Sequence, residues 1–306
     1  MLTLGMSQTP PCDPWGINFG GGLNSTAVIL ACIERGHRPD WILFADTGSE
    51  YPGTLEHVER MRQLVAFERP DWPEVVTVRW ERTKPVKFHE RVSASDIPFE
   101  DPAVIGSCQD LSTGEVVHVV EREKLIGFEP LHDNCLRTGH LPSKAYGLAG
   151  CTMKWKVQPM DKWRKKHGFQ QGAFAVGYDA GEARRITSAC KRGDAPGFTA
   201  WYPLVAWGVD RTGCQEIVDR WGVEVGKSSC FMCPNMKRQE WLSLKAEHPD
   251  LFDLSVEIED NAAAHGNFGR GGGGLYKGTL RGLAENHEAQ TDLFTEDRCH
   301  HGGCFT

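Results

Sequence analysis

Trp15-Gly16-Ile17-Asn18-Phe19-Gly20-Gly21-Gly22-Leu23-Asn24-Ser25-Thr26-Ala27 reads as a buried strand, a three-glycine turn and the first turn of a helix. Glycines take φ > 0 without strain and let main-chain N–H groups come close to an anion. The helix that follows leaves its first N–H groups unpaired and puts the positive end of its dipole on the same spot. The dipole contributes only roughly 0.3–1 kcal/mol per charge at an exposed site. The convergent N–H donors must therefore do most of the binding, and the stretch reads as a phosphate cradle made of backbone.

Outward from this turn, residues 24–35 read as a helix ended by Gly36, and Trp41-Ile42-Leu43-Phe44-Ala45 as a strand buried on both faces. Pro52 is expected at the first position of a helix running to about Ala66, and Val75–Val78 forms a third strand. Such alternation implies right-handed crossovers and a doubly wound sheet. It fails from Lys84 to about Gly150, which we read as an insertion over the site, with Val116–Val120 as one strand of a hairpin. It resumes with a helix near Met160–His167, a strand at Ala173–Gly177, and helices at about 212–221 and 236–247. Asn267–Gly274 is glycine-rich and expected to be a mobile loop. The expected organisation is a nucleotide-binding domain at 12–225, with the insertion at about 84–150, and a C-terminal Cys-x-x-Cys helical region and tail at 226–306.

No apolar run reaches about 18 residues, and no charged segment precedes an apolar one at the start, so we expect a cytoplasmic protein with no membrane span. The net charge of -7 weighs against a general nucleic-acid coat. A local basic stretch does run from Lys154 to Arg192, through Lys156, Lys162, Arg164, Lys165, Lys166, Arg184, Arg185 and Lys191. It is either a solvated helix face or a phosphate-handling surface. Disulfides are rare in the cytosol. Cys12, Cys32, Cys190 and Cys214 then read as small core or surface residues, whereas Cys108, Cys135, Cys151, Cys230, Cys233, Cys299 and Cys304 keep more unusual company.

Asp46-Thr47-Gly48-Ser49-Glu50-Tyr51-Pro52 falls just past the second strand, at the edge where open α/β sheets bind ligands. This element and the glycine turn together resemble the PP-loop adenine-nucleotide α-hydrolase superfamily. The branch most similar is the phosphoadenosine phosphosulfate (PAPS) reductases and the related phosphorothioate-forming DNA sulfur enzymes. Gly21, Gly22 and Ser25 match the Ser-Gly-Gly-x-Asp-Ser loop, with Gly20 replacing its serine and Asn24 its aspartate. Asp46, Thr47, Gly48, Glu50, Pro52 and Thr54 match the Asp-Thr-Gly-x-Glu-x-Pro element. Cys151–Pro159 is similar to a Cys-x-x-Lys/Arg-x-x-Pro segment, and Gly177–Arg185 to a Gly-x-x-Ala-x-Glu-x-x-Arg strand end. Tyr202–Trp207 resembles a Pro-Leu-x-x-Trp turn, and Cys230-Phe231-Met232-Cys233-Pro234 a Cys-x-x-Cys pair. The matches run in order over residues 15 to about 235.

The resemblance implies a Rossmann-like (HUP-type) three-layer α/β sandwich with a mainly parallel five-stranded sheet and a cysteine-bearing C-terminal region. It implies an adenine nucleotide, PAPS or ATP with Mg, lying across the ends of the first two strands. Phosphates would rest on Gly20, Gly21, Gly22, Asn24, Ser25 and Thr26. Asp46, with Thr47, Gly48 and Glu50, would orient ribose or metal, and adenine would stack near Phe44 and Ala45. Arg184 and Arg185 would clamp sulfate or phosphate, with Lys154 and Lys156 doing likewise from the opposite wall. Cys151, Cys230 and Cys233, with Cys135 as a fourth, would ligate a [4Fe-4S] cluster or zinc. The tail cysteines Cys299 and Cys304, beside Arg298, His300 and His301, are either nucleophiles or a small metal site.

Two activities share these parts. One is PAPS reduction by a tail thiolate with a thiol reductant as partner. The other is ATP-dependent thiolation, in which a nucleic-acid or small-molecule oxygen is adenylylated and cluster-bound or persulfide sulfur, with a sulfur donor protein as partner, displaces AMP. A nucleotide-binding module without turnover is a third reading, permitted by Asn24. A homodimer is expected in any of them.

Overall fold

The computed structural model describes residues 7–287, apart from 111, 126, 143–149, 183, 188–195, 268–273 and 277. Its chain divides into two compact units, one of residues up to Arg79 and from Pro130 onward, the other of Trp80–Glu129. The first begins with β1 (Trp15–Phe19), α1 (Leu23–Arg35), β2 (Trp41–Asp46), α2 (Thr54–Glu68) and β3 (Val75–Arg79). Helix α1 starts at an extended Gly22, whose N–H bonds the Ser25 hydroxyl at 3.2 Å, and stops at Gly36, which takes φ 69°. Pro52 does not open α2, contrary to expectation. Gly53 takes φ 80° and becomes the residue before the helix, so the first turn begins at Thr54.

The second unit holds β4 (Glu81–Arg82), β5 (Val86–Ser93), β6 (Val104–Gln109), β7 (Val116–Lys124) and β8 (Gly127–Phe128). Strands β4 and β8 pair antiparallel, and β5-β7-β6 form a three-stranded antiparallel sheet. The strand expected at Val116–Val120 is the first half of β7, which is central in that sheet and pairs on both sides.

From Pro130 the chain rejoins the first unit through α3 (Leu131–Thr138), a π-helical turn (Thr152–Val157), α4 (Gln158–Lys166), β9 (Gly172–Ala175) and β10 (Phe198–Trp201). The five-stranded sheet has the order β10-β9-β1-β2-β3 and is parallel throughout. The fold is therefore α/β and Rossmann-like, as expected. Strand β10 escaped the sequence pattern because it has four residues, of which only Phe198 and Trp201 are buried.

Alternation along β2 shows how the layers form. Ile42 and Phe44 face a core built with α1, α2 and helix Arg211–Arg220, while Trp41, Leu43 and Ala45 face Met160 of α4 and Phe198. The placement of adenine on Phe44 and Ala45 is thereby corrected: they are 1% and 2% exposed, under helices on opposite faces. Helices Arg238–Glu247 and Pro249–Ala264 follow. In the second of these, buried Glu259 accepts the N–H groups of Leu275 (2.5 Å) and Leu280 (2.7 Å), fixing the start of the helix at residues 280–287. The glycine-rich loop falls almost wholly outside the described residues. Among the described residues no helix is long and apolar enough to cross a membrane.

Gly16 lies opposite Trp41 in the parallel register, and a Cβ there would meet the indole at 2.2 Å. Gly16→Ala should therefore destabilise the sheet by about 1–3 kcal/mol or more through overpacking. A urea midpoint unchanged from wild type would contradict this packing.

Candidate functional site

In the five-stranded sheet the chain builds β1, β2 and β3 in one direction, then returns to place β9 on the other side of β1. That reversal is a topological switch point, where strand ends are left uncovered by crossovers. A cleft of about 520 Å³ opens there. Asn18, Gly20, Gly22, Asn24 and Ser25 form one wall, Gly177, Tyr178 and Arg185 another. Val225, Gly226, Lys227 and Ser228 form a third, and Arg211 and Gln215 lie on helix Arg211–Arg220. Two glycines permit the closeness. A Cβ at Gly177 would stand 2.9 Å from the Ser25 nitrogen, and one at Gly22 would stand 2.2 Å from the Ser228 hydroxyl.

The cleft thus brings together five of the residues expected around phosphate: Gly20, Gly22, Asn24, Ser25 and Arg185. Others serve the core. Gly21 takes φ 71°, and its Cβ direction points at Thr54 and Phe44. Thr26 is fully buried, its hydroxyl 2.9 Å from His57 Nε2 and its N–H bonded to the Gly22 carbonyl. Arg184 is exposed and Lys154 places its ammonium 4.1 Å over the Trp155 ring; neither lines the cleft. Sequence reasoning passed over Asn18, Arg211, Gln215, Lys227, Ser228 and Glu240. The one available signal was Asp210, a helix N-cap that accepts the Gly213 N–H at 2.9 Å and so marks Arg211 as a first helical residue.

Asn24 is the most constrained side chain in the cleft. Its Nδ2 donates to Asp179 Oδ2 at 2.9 Å and Glu182 Oε2 at 3.2 Å, and its Oδ1 accepts from Arg211 Nη1 at 2.9 Å. Carboxylates only accept and a guanidinium only donates, so the amide has one orientation. An aspartate at 24 would instead face two carboxylates. The departure from the PP-loop pattern is thus matched by Asp179, which is 3% exposed.

Residues 46–50, from the last residue of β2 onward, do not line this cleft. Asp46 Oδ2 accepts from Arg79 Nε (2.8 Å) and its Oδ1 from the Gly48 N–H (2.8 Å). Glu50 Oε1 accepts the Thr47 hydroxyl at 2.9 Å and lies 3.6 Å from Lys156 Nζ. Residues 49–51 run antiparallel to 229–231, through Tyr51 N–H to the Ser229 carbonyl (2.6 Å) and Phe231 N–H to the Ser49 carbonyl (2.9 Å). This pairing sets Cys230 Sγ 3.4 Å from Thr47 Oγ1.

Lys156 reaches this point from the π-helical turn, where the Gln158 N–H bonds the Met153 carbonyl five residues back. Burial opposes its charge, yet Glu50 and then Cys230, Cys151 and Cys233 hold its pKa above the ordinary lysine value. Burial and then Glu50 push the Cys230 thiol up to about 12; burial and then Cys233 raise Cys151. All three thiols thus act electrostatically on one ammonium group, and Cys233 acts on the other two.

As soft donors they suit iron–sulfur or zinc. Among the described residues, however, no three His, Cys, Asp or Glu side chains are grouped to hold a single metal ion. A tetrahedral zinc needs all its thiolates about 2.3 Å from one point. A cluster gives each thiolate its own iron instead of one shared point. Cys135 is buried at 4% exposure on α3, whose first N–H, from Leu131, bonds the Thr47 carbonyl. All cysteines among the described residues are free thiols. Cys299 and Cys304 lie outside the described residues.

No family model matches the chain, and no curated protein matches it. Among solved structures it is similar to the U34-tRNA thiolase NcsA from Methanococcus maripaludis with its [4Fe-4S] cluster. Identity is 11%, with 89% of this chain and 80% of that chain covered, at a TM-score of 0.34.

The Asn24 network makes a direct prediction. Asn24→Asp should cost about 1–3 kcal/mol, because two buried-side acceptors lose their donor and face a like charge. Adding Asp179→Asn should recover at least half of the loss in urea unfolding. Equal stability of Asn24→Asp and wild type would show that the amide is not clamped.

Proposed function

We propose that the chain is an ATP-dependent sulfur-transfer enzyme that thiolates a nucleic-acid acceptor. One observation carries this reading. The segment that walls the cleft at Val225–Ser228 continues into Cys230, which the Ser49–Tyr51 pairing fixes beside Thr47. The cleft wall at Ser228 and the thiol of Cys230 are therefore two residues apart on one clamped stretch.

The roles follow from placement. The first-turn N–H groups of α1, with Arg185, hold the phosphates of ATP, bound as its magnesium complex. An acceptor oxygen attacks the α-phosphorus and pyrophosphate leaves; the terminal sulfur of a donor-protein persulfide then attacks the activated carbon and AMP leaves, and a thiol reductant cleaves the resulting disulfide to free the thiolated acceptor. A [4Fe-4S] cluster would be held by Cys151, Cys230 and Cys233; with Cys135 as the fourth ligand all its irons would be capped, and without Cys135 one iron would stay open to carry sulfide. Lys156 balances the negative charge that deprotonated thiols bring next to Glu50. The exposed Lys162, Lys165 and Lys166 of α4 offer the acceptor's phosphates a basic face. Arg164 does not belong to it, being buried between the Phe174 and Phe198 rings.

PAPS reduction is the second reading. Asn24 favours it, since the loop itself brings no carboxylate to a metal-bound phosphate. In that case a Cys299 or Cys304 thiolate attacks the sulfuryl sulfur, and a thiol partner resolves the product.

Single-turnover assays with labelled ATP and labelled PAPS separate the readings. Pyrophosphate from ATP in the presence of acceptor is expected. Sulfite from PAPS without pyrophosphate from ATP transfers the assignment to reduction, and tight binding with neither product leaves a nucleotide-binding module. Anaerobically purified protein should also be coloured and hold iron and sulfide in cluster ratio. Cys230→Ser and Cys233→Ser should each lose more than half of that iron. Colourless wild-type protein holding zinc would remove the cluster.

A further inference from the structure

Four side chains at the mouth of the cleft form one unbroken chain of hydrogen bonds. Arg185 pairs with Glu182, Glu182 accepts from Asn24 Nδ2 at 3.2 Å, and Asn24 Oδ1 accepts from Arg211 at 2.9 Å. Its two ends line the cleft and its acids do not: Arg185, Asn24 and Arg211 are in the wall, whereas Glu182 and Asp179 lie behind it. The other charged pair in the wall, Lys227 with Glu240, is mutually neutralised. The cleft wall therefore holds two guanidinium groups, Arg185 in an ion pair with Glu182 and Arg211 bonded only to the neutral Asn24 amide among the described contacts.

We propose that Arg211 is a polyphosphate-contacting residue, set by Asn24 in the wall that Arg185 also lines, so that the site selects a nucleotide with at least two anionic groups. This rests on the nucleotide reading above and adds a residue and a selectivity to it. A guanidinium has five donors in a fixed fork, and the bond to Asn24 uses one of them. Arg211 is exposed and opens its helix, while Gln215, one turn later, lines the same wall. The side chain is held from one side by an amide that cannot turn, since Asp179 and Glu182 take both of that amide's donors. A preorganised arginine of this kind recognises phosphate oxygens bidentately. It has nothing to offer an uncharged nucleoside that the rest of the wall does not.

Isothermal titration of the full chain with ATP, AMP and adenosine tests this, with magnesium present throughout. Arg211→Gln keeps a donor for Asn24 but removes the charge. It should weaken ATP about tenfold or more, and leave adenosine within threefold of wild type, which also shows that the variant is folded. Arg211→Lys should recover part of the ATP affinity but not the bidentate component. If Arg211→Gln weakens ATP less than threefold, or weakens adenosine as much as ATP, Arg211 is not a phosphate contact. Wild-type protein that binds none of the three ligands instead overturns the nucleotide reading on which the proposal stands.

Discussion

Strand β1 pairs in parallel with β2 on one side and β9 on the other, through registers such as Gly16 with Trp41 and Trp15 with Ala173. The arrangement of the site depends on that double pairing. A parallel strand needs a crossover to reach its neighbour, and crossovers on one side of β1 cannot cover the side where the chain comes back. The carboxyl end of β1 is therefore left open towards β9. The glycine turn occupies that opening, and Gly177 at the end of β9 lets the two strand ends approach it.

A second constraint joins the cleft to the thiols. Backbone pairing between residues 49–51 and 229–231 ties the loop after β2 to the segment that carries Cys230. As a result the Asp46–Pro52 element and the glycine turn, adjacent along the sheet, face different chemistry. One supports a half-buried Lys156, a buried Glu50 and three thiols. The other presents N–H groups and two arginines. Charge is balanced locally by Lys156 against Glu50 and by Arg185 against Glu182, while the neutral amide of Asn24 stands between Asp179 and Arg211. Buried carboxylates without such partners would be too costly to keep ionised.

The glycine turn, the helix after it and four of the five parallel strands were legible in the chain, because each rests on local pattern. Continuous apolar runs mark strands buried on both faces, and Gly36 ends a helix wherever the fold puts it. Positions set by close approach were not legible. Thr26 reads as a phosphate contact until His57 arrives from α2 to take its hydroxyl, and Phe44 reads as an adenine platform until α1 and α2 cover it.

The sequence by itself determined that this chain would make a parallel α/β sheet with an anion-binding turn, and that it would carry a Cys-x-x-Cys pair downstream of it. Those are matters of residue type and short spacing, settled by periodicity and by the conformational freedom of glycine. Only the tertiary structure decided that the cleft lies between β1 and β9, that Asn24 is answered by Asp179 some 155 residues away, and that Arg211 joins the wall. These are long-range contacts between side chains that carry no local signal, and their partners are chosen by the order of strands in the sheet.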